Sequence, residues 1–203
     1  SGIWCENNIG FGHRRLSIID LSDQASQPMK SNDNRYIIIY NGEIYNFKEL
    51  KRELVKKGYA FRTNSDTEVV LNSLIEWREH SLKKFNGMFS FAFFDRKKHN
   101  LLIARDRYGI KPLYYSLQKN SLYFASEQKA ILTQNSFKKE LNKEALLEYF
   151  TFQNIFTKQT LIKGIHILPA GEYMVINTKN NYSQINSIKY WDFNFHDSFK
   201  NKK

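Results

Sequence analysis

Apolar residues along the chain fall into short runs whose period changes from one run to the next. Tyr36-Ile37-Ile38-Ile39-Tyr40 is continuous, rich in Ile and Tyr and of strand length, which predicts a buried β-strand. It leads into Asn41-Gly42-Glu43-Ile44-Tyr45-Asn46, which reads as a turn opened by Asn-Gly. A helix follows. Asn46 is its N-cap, Glu49 stands at capping-box spacing, and Phe47, Leu50, Leu54 and Val55 share one face. Glu53 and Lys57 make an i,i+4 pair and Gly58 stops the helix. Tyr59 to Thr63 alternates and predicts a strand. A second helix opens at Ser65 with Glu68 three residues on, turning Val69, Val70, Leu74 and Trp77 inward, so Asp66 falls in its first turn.

From Phe85-Asn86-Gly87 the character changes to β. Strands are predicted at Met88–Phe94, Leu101–Ala104, Leu113–Ser116 and Leu122–Ala125, with a charged loop from Arg105 to Pro112. Ser126 caps a short helix to Leu132, and Asn142 to Phe152 is an amphipathic helix. Glu172–Asn177 and Ile185–Trp191 read as a last hairpin. Residues 1–35 look irregular, with a short strand at Leu16-Ser17-Ile18-Ile19 and turns at Gln27-Pro28 and Asn32-Asp33-Asn34. Many antiparallel-type strands with few helices make the class α+β. The strands are too apolar for one sheet with a wet face, so two sheets packed face to face, with helices outside, are expected.

Composition narrows the function classes. Apolar residues are 41% and aromatics 15% of 203 residues, enough to bury a core as one large domain. No apolar run reaches the roughly 18 residues of a membrane span, and no basic-then-apolar leader opens the chain. Ser1 rather than Met stands first, so the chain reads as processed or cut from something longer. The single Cys5 fits a reducing, cytoplasmic setting. The five histidines lack the spacing of a metal set, so no metal is expected. The net charge of +11 raises nucleic acid as a partner, but the lysines are spread along the chain and form no stripe, so none is expected.

Four places carry candidate chemistry. The Asn41 amide and Gly42 N–H can act as two donors of an oxyanion hole, or Asn-Gly can be a plain type I′ turn; a capped helix after it favours the hole. Arg14-Arg15 can clamp a carboxylate or form surface ion pairs. Asp66 can hold an ammonium or simply complement the helix dipole. Arg105-Asp106 reads as an ion pair anchoring its loop. A donor pair, a cation and an anion together suit a free α-amino acid with a side-chain carbonyl. A nucleophile is missing from the set, since Cys5 has no base beside it.

In order, Gly12-His13-Arg14-Arg15-Leu16-Ser17-Ile18-Ile19-Asp20, Asn41-Gly42-Glu43-Ile44-Tyr45-Asn46, Ser65-Asp66-Thr67-Glu68, Asn86-Gly87-Met88-Phe89, Arg105-Asp106-Arg107-Tyr108-Gly109-Ile110-Lys111-Pro112-Leu113-Tyr114 and Phe124-Ala125-Ser126-Glu127 resemble the glutaminase domain of glutamine-hydrolysing asparagine synthetases. These are class II glutamine amidotransferases of the N-terminal-nucleophile hydrolase fold. The resemblance covers Gly2 to about Trp191. It implies a four-layer α-β-β-α sandwich over residues 1–192, with 193–203 as the start of an interdomain linker or a cut end. It also implies roles. Arg15 grips the glutamine α-carboxylate, with Leu16, Ser17, Ile18 and Ile19 lining that end. Asn41 and Gly42 stabilise the oxyanion, and Asp66, helped by Glu43, holds the α-ammonium.

The family nucleophile is a terminal Cys whose own α-amine is the base. Gly2-Ile3-Trp4 aligns with a later family segment, so the first strands and that Cys are expected upstream of this chain, and Ser1 is not the nucleophile. The chain alone is therefore expected to be inactive. No cofactor is implied for this domain. ATP and Mg2+ belong to an absent C-terminal synthetase domain that amidates aspartate, and a homodimer is a further expected partner arrangement. The competing readings are an amidotransferase with another acceptor and a non-catalytic glutamine-binding module.

Overall fold

The computed structural model describes residues 1–14, 25–135, 137–179 and 185–194. Strands β1 (Gly2–Glu6) and β2 (Ile9–His13) form an antiparallel hairpin where irregular chain was expected. Its Gly10, Gly12, Asn7 and Glu6 are poor strand formers. What holds it is non-local: Trp4 and Phe11 lie 5.7 Å apart, centroid to centroid, and Trp4 reaches Phe94 at 6.1 Å. The strand expected at Leu16–Ile19 lies outside the described residues.

β3 (Met29–Lys30) pairs with β4, which runs from Tyr36 to Ile44. The expected turn at Asn41-Gly42 is absent. Those residues continue the strand because β5 (Gly87–Asp95) pairs with β4 over its whole length, down to Ile44 opposite Gly87. β6 (Asn100–Arg105), β10 (Glu172–Asn177) and the short β11 (Ile188–Lys189) complete a six-stranded antiparallel sheet in the order β11-β10-β6-β5-β4-β3. Of the final hairpin's expected second strand, only Ile188–Lys189 pairs. A separate sheet comprises β7 (Tyr114–Gln118), β8 (Ser121–Ala125) and β9 (His166–Ile167), in the order β8-β7-β9.

Helices α1 (Phe47–Lys56) and α2 (Asp66–Trp77) cover one face of the large sheet. Period two divides β4 between the two cores. Tyr36, Ile38, Tyr40 and Ile44 point to the helices, whereas Ile37 and Ile39 point to a second core beneath β1–β2 and β7–β8. Outside that second layer lies α4 (Gln128–Ile131), where Ile131 packs with Tyr114 and Tyr123. The order helix, sheet, sheet, helix is the expected four-layer sandwich, with the second β-layer divided into two pieces. After α2 come a 3-10 turn (Arg78–His80) and α3 (Ser81–Lys84), and α5 (Lys143–Phe152) is capped by Asn142, whose Oδ1 accepts from Ala145 N–H at 3.3 Å.

Several local expectations give way to tertiary contacts. Asn46 does not cap α1 with its side chain; Oδ1 accepts from Asn86 N–H at 3.0 Å and Nδ2 donates to the Lys84 carbonyl at 3.0 Å. Val55 is exposed rather than inward. Glu53 pairs with Lys84 at 2.9 Å and Lys57 with Glu76 at 2.8 Å, so α1 is tied to α3 and α2 and not to itself. Tyr59–Thr63 forms no strand. The buried Glu68 carboxylate accepts from Arg62 N–H and Thr63 N–H at 3.0 and 2.8 Å, which takes those donors away from any ladder. Ser65 does cap α2, accepting from Thr67 N–H at 3.1 Å.

Where Tyr36 faces Asp95, the far end of the β4–β5 pair is closed by charge. Arg35 donates through Nε to Asp95 Oδ1 at 3.0 Å and through Nη2 to Oδ2 at 2.9 Å, with Arg78 at 3.5 Å. Burial opposes ionisation of Asp95, but the guanidinium groups and the backbone N–H of Lys98 outweigh it and hold the carboxyl below the usual range. A carboxyl with a lowered folded pKa stabilises above its unfolded pKa and loses that contribution as pH falls through the folded value. Asp95→Asn is therefore expected to be less stable than wild type at neutral pH. The difference should shrink as pH falls below about 4, as urea unfolding across pH would show. A gap that stayed constant into acid would refute the ionic role.

Candidate active site

β3 ends its pairing at Ile38, so the outer edge of β4 beyond that point needs other partners. Gln27 supplies them for Tyr40: Oε1 accepts Tyr40 N–H at 2.6 Å and Nε2 donates to the Tyr40 carbonyl at 3.0 Å. Asp66 supplies one for Ile44, its Oδ2 accepting Ile44 N–H at 3.1 Å. Alternation in an antiparallel ladder turns the N–H groups of residues 40, 42 and 44 to one edge. The Gly42 N–H therefore opens between the Gln27 amide and the Asp66 carboxylate. The opposite strand agrees: Phe89, across from Gly42, gives its N–H to Asp106 Oδ2 at 3.2 Å and its carbonyl to Asp106 N–H at 2.8 Å.

This edge opens into a cavity of about 610 Å³ whose wall includes Asn41, Gly42, Glu43, Asp66, Lys111 and Ser126. Asn41 and Glu43 reach it from the sheet-facing side of β4 and Asp66 from the helix side, so the cavity wraps around the strand. The Asn41 amide is held by Ser126, with Nδ2 donating to Oγ at 3.3 Å. Ser126 is thus not the expected cap of α4, whose N-cap is Glu127. Asp66 is 5% exposed, and burial raises its pKa above the ordinary value. The Tyr40 hydroxyl, donating to Oδ2 at 2.8 Å, and the backbone N–H of Ile44 and Thr67 oppose that shift, while the Glu43 charge adds to it.

Asn41, Gly42, Glu43 and Asp66 are therefore brought together as expected. Arg15, Leu16, Ser17, Ile18 and Ile19 lie outside the described residues, and Arg14 beside them lines the cavity. Arg105 and Asp106 do not form an ion pair. Arg105 donates to the carbonyls of Gly109, Lys111 and Leu168, and the fully buried Asp106 carboxylate accepts from backbone N–H groups. Gln27, Tyr40, Lys111 and Ser126 were not singled out for the site by the sequence. Gln27 stands before a proline, Tyr40 is one of the two tyrosines that bound the Ile run and Ser126 follows a strand; none of these settings marks a site residue without the bonds made to other elements. Among the described residues no three His, Cys, Asp or Glu side chains converge as a metal set, and no helix is long and apolar enough to cross a membrane.

Preorganised donors facing a carboxylate across one cavity suit acyl-transfer chemistry on an amino acid. The family described as a glutamine amidotransferase domain matches residues 1–191. Asparagine synthetase [glutamine-hydrolyzing] 1 of Bacillus subtilis is 43% identical over 176 residues, covering 86% of this chain and 27% of that protein. Amidase chry2 of Gibberella zeae is 31% identical, covering 98% of this chain and 29% of that protein. The chain thus spans less than a third of the length of these relatives. Among solved structures, the glutamine phosphoribosylpyrophosphate amidotransferase of B. subtilis superposes with a TM-score of 0.59 at 21% identity, covering 88% of this chain and 34% of that one. Over the matched part, its fold is shared here. By sequence over almost its whole length, the chain belongs to the glutamine amidotransferase domain family.

Proposed function

We propose that the cavity at the β4 edge binds glutamine and that the chain is the glutamine-hydrolysing part of an asparagine synthetase. The observation that carries this is the opening of the Asn41–Gly42 donors and the Asp66 carboxylate into one cavity. Asp66, with Glu43 beside it, takes the α-ammonium, and by the family resemblance the α-carboxylate falls to Arg15, with Leu16 to Ile19 assigned to the same end, all five lying outside the described residues. The side-chain carbonyl of glutamine then lies against Asn41 Nδ2 and Gly42 N–H, where charge develops on oxygen during attack. A terminal cysteine upstream of these residues would be the nucleophile. Cys5 does not qualify: it is exposed on β1 opposite Gly10, and it is not in the cavity wall.

Ammonia released here would serve the ATP-dependent amidation of aspartate in the rest of the protein, which is also where ATP and Mg2+ would act. The match to an amidase favours a second reading of the acceptor alone, with the same glutamine chemistry feeding ammonia elsewhere.

The chain is expected to bind L-glutamine. Calorimetric titration should show Asp66→Asn lowering affinity by at least about tenfold, since a charged hydrogen-bond partner of the ammonium is lost. Undiminished binding by Asp66→Asn would sink the assignment. Only ionised Asp66 attracts the ammonium, and its pKa is raised. Affinity should therefore fall on acidification, starting at a higher pH than an ordinary aspartate would give.

A further inference from the structure

We propose that Tyr40 is a positioning residue of this site: its phenol fixes the orientation of the Asp66 carboxylate and supports its negative charge at the buried edge of β4. The inference rests on the glutamine reading for what Asp66 holds. The Tyr40 hydroxyl and Ile44 N–H, four residues apart on one strand, both donate to Asp66 Oδ2, at 2.8 and 3.1 Å. Two donors converging on one oxygen anchor the carboxylate at the edge of the cavity.

Tyr40 is in turn fixed by the Gln27 amide, which grips both its N–H and its carbonyl. The same amide nitrogen lies 3.5 Å from Thr67 Oγ1 in the first turn of α2, so one side chain touches both elements that meet at Asp66. The core does not need the hydroxyl. Tyr40 is 3% exposed within a cluster of Ile, Leu, Val and Phe, where a phenylalanine ring would fill the same space.

Among the described residues, other charged groups share this cavity. They are Glu43 from β4, His13 and Arg14 at the end of β2, Lys111 from the loop after β6, and Glu127 and Lys129 at the start of α4. Glu68, on α2 itself, is bound to Thr63. Of these, Glu43 acts on Asp66, in the same direction as burial. Tyr40 is the side chain that opposes both. Burial and the Asp66 charge push its phenol well above its ordinary pKa, so it remains a donor throughout the neutral range.

Two measurements on Tyr40→Phe test this. In the first, the Asp66 carboxyl carbon is titrated by NMR without ligand, and its midpoint should rise by about one pH unit. In the second, L-glutamine affinity is measured by calorimetry across pH. It should fall about three- to tenfold at neutral pH, and its acid decline should begin at a higher pH than in wild type. Fluorotyrosine at position 40, a stronger donor of nearly the same shape, should move the Asp66 midpoint down, and it covers the case in which the phenylalanine variant folds poorly. An Asp66 midpoint that moves with neither replacement overturns the proposal, as does a wild-type pH profile of binding in Tyr40→Phe. If the wild-type chain binds no glutamine, the glutamine reading fails, while the ligand-free titration still decides whether Tyr40 supports Asp66.

Discussion

Asp106→Asn is expected to cost the fold about 3–5 kcal/mol, among the largest effects of any single change that preserves shape. The Asp106 carboxylate has no exposed surface and accepts four backbone N–H groups. Oδ1 takes Tyr108 and Ile110 at 3.0 Å each, and Oδ2 takes Lys111 at 2.9 Å and Phe89 at 3.2 Å. An asparagine keeps one acceptor and turns an NH2 group toward the other pair of donors. Two buried N–H groups would then face a donor, each costing about 1–3 kcal/mol. The Asp106 backbone is committed as well, its N–H to the Phe89 carbonyl at 2.8 Å and its carbonyl to Gly171 N–H at 2.8 Å. Relaxation that would rescue the variant therefore has to break other bonds. Urea unfolding of the two proteins measures the difference, and a loss below about 1 kcal/mol would show that the four contacts are not structural. The effect should also be local, with faster hydrogen exchange at Phe89 and Lys111 than at Ile37 or Ile38.

Asp106 bears on the site because it works from the back of the same strand pair. By taking both backbone groups of Phe89, it leaves Gly42 opposite without a claim on its N–H from β5. Gln27 and Asp66 then take the groups on either side along the open edge. Among the described residues, the Gly42 N–H is left facing the cavity because each neighbour along the edge is satisfied by a side chain from another element. The preorganisation is thus a property of ladder accounting, and it depends on residues 15 to 64 positions away in sequence.

That distance explains what was and was not legible beforehand. α2 and the β5, β6 and β7–β8 strands follow from period and capping within their own windows, and the structure agrees with them; for α5 it agrees with the extent and the Asn142 cap but not with an inward apolar face, since Leu147, Phe150 and Phe152 are exposed. The Asn41-Gly42 turn was a sound local reading, yet it loses to nine residue pairs between β4 and β5, a partner more than forty residues on. Tyr59–Thr63 has the alternation of a strand but loses its N–H groups to a buried glutamate in the next helix. The β1–β2 hairpin is invisible locally because its stability lies in Trp4 and Phe11 against Phe94 and Phe124. For the site, residue types at Asn41, Gly42, Glu43 and Asp66 were readable from their ordered motifs. Gln27, Tyr40 and Ser126 were not, since each matters through a bond to another element that no window of sequence contains.

Gly42→Ala is the second change expected to have a large effect, both on the fold and on binding. A Cβ at Gly42 would run into the Met88 carbonyl oxygen and stand 2.7 Å from Phe89 Cα and 2.9 Å from Phe89 Cβ. Gly87 on the partner strand has the reciprocal problem, where a Cβ would meet the Glu43 carbonyl oxygen and stand 2.9 Å from Ile44 Cα. The two strands approach closely at a pair of glycines offset along the ladder, and the obstacles are backbone atoms that no rotamer change can move. Alanine must then push β4 from β5 beside Asn41, at a cost of about 3 kcal/mol or more. The displacement falls on the Gly42 N–H itself, so glutamine binding should be lost even at temperatures where the variant stays folded. Gly12→Ala is the control: Gly12 lines the same cavity, and a Cβ there meets nothing within 4 Å. Its stability should stay within about 0.5 kcal/mol of wild type. Thermal unfolding and glutamine titration of the two variants side by side separate crowding at the β4–β5 contact from a general intolerance of side chains around the cavity. Equal stability of Gly42→Ala and Gly12→Ala would mean that the strand pair yields at no cost, and the close approach would then have no part in shaping the donor.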